Sequence, residues 1–189
     1  MGHYLAARQR GLAVSAPAFI PFMGAFITLK SMPHDAETEA YVAFAGPFIG
    51  TLATFAVYFW ATDAESSLGL AIAYSGFFLN LFNLLPISPL DGGRITSVLG
   101  PRIWFLGVPV LAALLLYRPS PVLFIVAILA IPQLIKAWRH NPNAPENQAY
   151  YGVTDTVKVE YTVLYLALVI VLALITYSLH SDLGAIHQR

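Results

Sequence analysis

YVAFAGPFIGTLATFAVYFWATDAESSLGLAIAYSGFFLNLFNLLPISPLDGGRI, residues 41 to 95, decides the fold. It holds two long apolar runs, Tyr41 to Ala61 and Ser67 to Leu85, parted by a short acidic hinge, TDAES. A helix needs about 20 mostly apolar residues to cross a bilayer core, and both runs qualify. The second run ends unusually. Pro86 and Pro89 cannot donate backbone hydrogen bonds, so the helix must open there. Gly92 and Gly93 then permit a tight, closely approached backbone beside a carboxylate, Asp91. Two readings of this ending stand. One is an Asp-Gly turn in water with no chemistry. The other is a carboxylate aimed at a partner at membrane depth, where polar groups are expensive and face a cavity or a ligand.

The whole chain shares this character. Of its 189 residues, 58% are hydrophobic and 11% charged, against about 25% charged in soluble domains, and its mean hydropathy is +0.68. An ordinary soluble domain is excluded. Net charge is zero, so composition gives no case for nucleic acid as a partner. Without cysteine, disulfides are excluded and a metal site must draw on His, Asp, Glu or carbonyl oxygen. The opening MGHYLAARQRG is polar and basic and does not read as a signal peptide.

Beyond residue 95, segments 103–117 and 121–135 read as a shorter helical pair, parted by Arg118 and two prolines. Segment 161–179 is a clear final span, and 139–160, rich in Pro and Asn, reads as an exposed cytoplasmic loop. Segment 12–30 is apolar but interrupted by Pro17, Pro21 and Gly24, with strand-like pieces in SAPAFIPFMGAFITL. Non-helical backbone at membrane depth survives only against protein or a water-filled cavity. The segment therefore reads as a membrane-re-entrant β-hairpin, with a kinked spanning helix as the alternative. Positive-inside counting favours the hairpin. It puts eight of the ten Lys and Arg on one side, whereas a full span leaves six against four. The expected fold is an all-α polytopic membrane protein of about five transmembrane helices plus that hairpin. All of residues 1–189 form one membrane-embedded domain, with the Asp91 end toward the cytoplasm. No internal repeat is evident, which leaves a small channel or transporter a distant reading.

The first residues, GHYLAARQRG, supply a histidine. On its own, His3 reads as structural or incidental. In a metalloprotease helix, H-E-x-x-H places two histidines one turn apart to bind zinc, and the intervening glutamate activates water. Catalytic zinc keeps three protein ligands and one open position, and a carboxylate from another element would complete the set.

The chain resembles the site-2 protease family of intramembrane zinc metallopeptidases. Residues 1 to 8, MGHYLAAR, are similar to the tail of that family's H-E-x-G-H helix and its basic cap. Residues 83 to 94, NLLPISPLDGGR, match its N-x-x-P…L-D-G-G motif. Ala45-Gly46-Pro47 and the Pro/Gly-rich segment before Lys30, a re-entrant β-loop in the family, have counterparts there too. The resemblance implies regulated intramembrane proteolysis of single-pass membrane proteins, with membrane lipid as surroundings and one zinc ion as cofactor. It assigns His3 and Asp91 as metal ligands and gives Asn83 a hold on the substrate backbone or oxyanion. A helix-end hydrogen bond is the alternative for Asn83. Asn80, His34, His140, His180 and His187 have no comparable claim, the histidines reading as solvated. The expected localisation is a bacterial or archaeal plasma membrane.

One departure matters. If His3 closes H-E-x-x-H, the general-base glutamate is expected immediately before Met1, with the first histidine before that. No catalytic base is present in the chain as written, which is then expected to be inactive. Either the start lies at an internal methionine or on a fragment, and the full-length product is a protease, or the product is a pseudoprotease that holds membrane clients. The intact Asp91 motif favours the first.

Overall fold

In a computed structural model, the described residues are 1–14, 18–20, 24–26 and 33–186. Eight α-helices order the described chain: α1 (Gly2–Gln9), α2 (Ala36–Asp63), α3 (Ser67–Asn83), α4 (Asp91–Thr96), α5 (Gly107–Tyr117), α6 (Pro121–Trp138), α7 (Pro145–Tyr151) and α8 (Asp155–Ile186). Two 3-10 turns, Ser97–Leu99 and Pro101–Leu106, join α4 to α5.

The helix starts follow local chemistry. Asp35 caps α2 by accepting from the Thr38 N–H at 2.7 Å, Ser66 caps α3 through Gly69 N–H, and Ser120 caps α6 through Leu123 N–H. Each satisfies a donor that the first helical turn leaves without a partner.

Among the described residues, three helices are long and apolar enough to cross a membrane: Ala36–Asp63, Pro121–Trp138 and Asp155–Ser181. Much of their apolar surface faces outward, with Phe59, Ile128 and Leu174 all exposed; outward apolar surface on this scale implies a lipid surround. The fold class is thus a helical membrane protein. Ser67–Asn83 and Pro101–Tyr117 are shorter apolar helices, so the expectation of five spans is not met by length alone. For α3 the reason is local: the helix stops at Asn83 instead of Leu85, because Leu84 and Leu85 N–H already turn back to Leu81 and Phe82 carbonyls.

The main core gathers Ala36, Ala40 and Ala43 of α2, Phe77 of α3, Ile95 of α4 and Leu172 of α8. Small residues bring α2 and α3 together. A Cβ on Gly50 would stand 2.5 Å from Asn80 Oδ1, and one on Gly76 would stand 2.7 Å from Thr54 Oγ1. Asn80 is thereby explained as a helix-contact residue, its amide donating to the Gly76 carbonyl at 3.0 Å.

Segment 139–160 is not a plain loop: it carries α7 and the first turn of α8. Pro145 stands at the start of α7, where its missing N–H costs nothing, a signal the proline-rich composition obscured. In segment 12–30, strand β1 (Ala18–Ile20) pairs antiparallel with β2 (Gly24–Phe26), Ala18 opposite Phe26 and Ile20 opposite Gly24. The expected hairpin's remaining residues, 15–17, 21–23 and 27–30, lie outside the described residues, as do Lys30 and His187.

Candidate functional site

Asp91 opens α4, and its neighbours explain how. After α3 the backbone makes short returns, Ile87 N–H to Leu85 O and Leu90 N–H to Ile87 O, passing through a cis Ser88–Pro89 bond. Gly92 and Gly93 lie directly on this turn. A Cβ on Gly92 would enter the Leu84–Leu85 carbonyls, and one on Gly93 would enter the Ile87–Ser88 peptide. Both glycines are therefore required for close approach, as expected, and neither for a left-handed conformation. The Trp104 indole N–H donates to the Gly93 carbonyl at 2.7 Å. The Tyr165 hydroxyl donates to the Leu84 carbonyl at 2.6 Å, tying the end of α3 to α8.

His3 arrives from α1. That helix buries Ala6 and Ala7 with Leu12 and Val42, and Gly2 lies flush on the Ala45 carbonyl of α2. The His3 ring occupies the space that a side chain on Gly46 would fill. This gives Ala45-Gly46 a physical role: the Ala45 carbonyl seats Gly2, and Gly46 is the floor under His3.

The two residues meet. His3 Nε2 stands 3.3 Å from Asp91 Oδ2, while His3 Nδ1 lies 2.8 Å from the Val42 carbonyl oxygen. A carbonyl only accepts, so Nδ1 carries the proton and Nε2 is the atom turned to Asp91. An imidazole and a carboxylate both present lone pairs across this gap unless a proton or a cation lies between them. Ligand atoms of a tetrahedral zinc site with bonds of about 2.0–2.2 Å stand roughly 3.3–3.5 Å apart. The pair therefore fits two of a zinc ion's ligands, with the orienting backbone bond that metal-binding histidines use. No group of three or more His, Cys, Asp or Glu suited to a metal occurs among the described residues.

A charged relay stands behind Asp91. Arg94 reaches it at 4.0 Å and pairs with Glu39 of α2 at 3.2 Å. Glu39 in turn accepts from the Tyr150 hydroxyl of α7 at 2.6 Å. Glu39 and Tyr150 carried no signal in the sequence, since the contact joins residues 111 positions apart; Arg94, one turn beyond Asp91, was within the motif. Asn83 ends α3 half-buried, and its side chain makes no hydrogen bond among the described residues. His34 is exposed as expected. His140 packs edge-on to Tyr151, and His180 of α8 stacks on Tyr74 of α3; both have aromatic partners that the loop reading did not foresee.

No family model matches the chain. Among curated proteins it is similar to “Probable zinc metalloprotease EGY1, chloroplastic” of Arabidopsis thaliana. The identity is 28% over 141 aligned positions, taking in 50% of this chain and 26% of that protein. The chain thus spans about a quarter of the length of the curated relative it matches. The likeness is distant and partial, and it is to a zinc metalloprotease.

Proposed function

We propose that this chain is the membrane-embedded part of an intramembrane zinc metalloendopeptidase of the site-2 protease type, cleaving transmembrane segments of single-pass proteins. The observation that carries the reading is the His3–Asp91 pair, two donors 3.3 Å apart on separate elements. The distant likeness to a zinc metalloprotease supports it.

His3 would hold the ion through Nε2, kept in that tautomer by the Val42 carbonyl. Asp91 would add its carboxylate, restrained by Arg94 on its far side. Bound zinc supplies a Lewis acid for the scissile carbonyl and acidifies a water at its open position. Asn83, with its amide unengaged among the described residues, is available to a substrate carbonyl. A substrate helix hides its carbonyls in its own hydrogen bonds, so it must unwind. The β1–β2 pair, read as re-entrant, offers an edge for the extended stretch. In this reading α3 and Pro101–Tyr117 are two further short spans, and the Asp91 end faces the cytoplasm.

The test begins with intact mass and zinc content of the product purified from its own membranes, followed by His3→Ala and Asp91→Asn. One zinc per chain and cleavage of a reconstituted single-pass substrate are expected, both lost in the variants while helicity is retained. Zinc at full occupancy in both variants overturns the assignment. The pseudoprotease reading draws on the two-donor set among the described residues. It gains if the native product holds no zinc and client binding survives Asp91→Ala.

A further inference from the structure

Away from the His3–Asp91 pair, an open cavity of about 360 Å³ lies where Gly100–Arg102, the turn after α6, α7 and the start of α8 meet. A cleft of about 400 Å³ adjoins it and shares Pro101, His140, Asn147 and Tyr151. Arg102 and Lys158 line the first, and Lys136 and Arg139 the second. Among the described residues, no Asp or Glu lines either. These cations are poorly neutralised. Lys136 and Arg139 make no ion pair among the described residues. Arg102 has one long bond, 3.4 Å to the His140 carbonyl. Lys158 is paired with Asp155 at 2.9 Å, but that carboxylate is 95% exposed and screened by water.

The location narrows what this charge is for. Lys136 lies in the last turn of α6 and Lys158 in the first turn of α8, two of the helices able to cross a membrane. The clefts therefore sit at one end of the bundle, where both helices leave the hydrocarbon. Trp138 marks the same depth: it is 77% exposed and packs edge-on against Phe105, the setting of an interfacial aromatic. Pro132 and Ile135, on the apolar flank of α6, form one wall of the second cleft.

We infer that these joined clefts bind the phosphate of an anionic phospholipid, whose acyl chain lies along the Pro132–Ile135 flank of α6. Arg102, Lys136, Arg139 and Lys158 supply the charge; the Tyr151 hydroxyl and the second N–H of the Asn147 amide, whose nitrogen already donates to the Asn141 carbonyl at 2.7 Å, supply neutral donors. Basic pockets between transmembrane helices are a known form of headgroup recognition. The phosphate chemistry is shared with soluble phosphate, but an apolar wall beside the cations suits a lipid. The inference does not depend on zinc or on proteolysis.

The full chain, held in a neutral detergent, is titrated with phosphatidylglycerol and with phosphatidylcholine of matched acyl chains, and retained lipid is counted by native mass spectrometry. One phosphatidylglycerol retained per chain in preference to phosphatidylcholine is expected. Arg102→Gln with Lys136→Gln should weaken its retention by roughly 25-fold, at about fivefold per cation removed. Arg118→Gln, on a cation outside both clefts, should leave it unchanged. Should the double variant lose helicity, rising salt on the parent chain gives the same answer, because only phosphatidylglycerol retention should fall. Equal retention of the two lipids by the parent, or no change in a folded double variant, overturns the inference. So does inorganic phosphate that binds as tightly as the lipid, which would assign the clefts to a soluble ligand.

Discussion

Gly46→Ala isolates the placement of His3 from the stability of the fold. Alanine normally favours a helix interior over glycine by about 0.5–1 kcal/mol, so α2 itself gains. The new methyl, however, falls inside the His3 ring and within contact distance of Nε2, Cε1 and Cδ2. Non-bonded carbon atoms sit comfortably at about 3.5–4.0 Å, so the ring must shift by roughly 1.5–2 Å. That shift breaks the 2.8 Å bond from Nδ1 to the Val42 carbonyl and the 3.3 Å approach to Asp91. Losing the backbone bond costs about 0.5–1.5 kcal/mol, which nearly offsets the helical gain. Thermal unfolding followed by helicity should therefore move little. On the proposed zinc reading, affinity for the ion, measured by competition with a chromophoric chelator in the same detergent, should fall about 10- to 100-fold, the usual penalty for a ligand whose orienting partner is lost. A variant that binds zinc within about twofold of the parent, with an unchanged melt, would refute the reasoning that Gly46 sets the histidine.

Trp104→Phe removes the donor to the Gly93 carbonyl; with Trp104 buried, unfolding should become about 1–3 kcal/mol easier, seen as a lower denaturation midpoint. Glu39→Gln should cost about 1–3 kcal/mol, because Arg94 loses its 3.2 Å partner while little exposed to water; hydrogen exchange in α4 and α7 should rise together. Burial, then the Glu39 charge and the hydrogen bond to it, push the Tyr150 phenol well above its ordinary value. A raised folded-state value makes this contribution complete below the free phenol range near about 10 and lost only as pH climbs through the higher folded value. Docking of α7 should thus persist to about pH 10, and Tyr150→Phe should remove the part of the alkaline stability loss that lies above it.

The proline break, the paired glycines and the apolar runs were legible because each acts over a few residues. A proline lacks its donor wherever it stands, and a run of apolar side chains implies a nonpolar surround before any contact is known. Helix ends were less legible. α3 stopped short of Leu85 because two N–H groups found carbonyls one turn back, and α7 was hidden in a segment whose composition says only turn and solvent.

The sequence by itself determined a membrane-embedded helical chain with a carboxylate just beyond a proline-opened helix end, whereas His3 stood out only through the family resemblance. What only the tertiary structure decided is that α1 lies on α2 over Gly46, turning Nε2 of His3 to within 3.3 Å of Asp91. It also decided that Glu39 and Tyr150 stand behind Arg94, and that four cations from different segments meet at two joined clefts. The physical reason is range. Hydrogen-bonding capacity and hydrophobicity belong to each residue, whereas a distance between side chains from separate helices depends on how every intervening element packs.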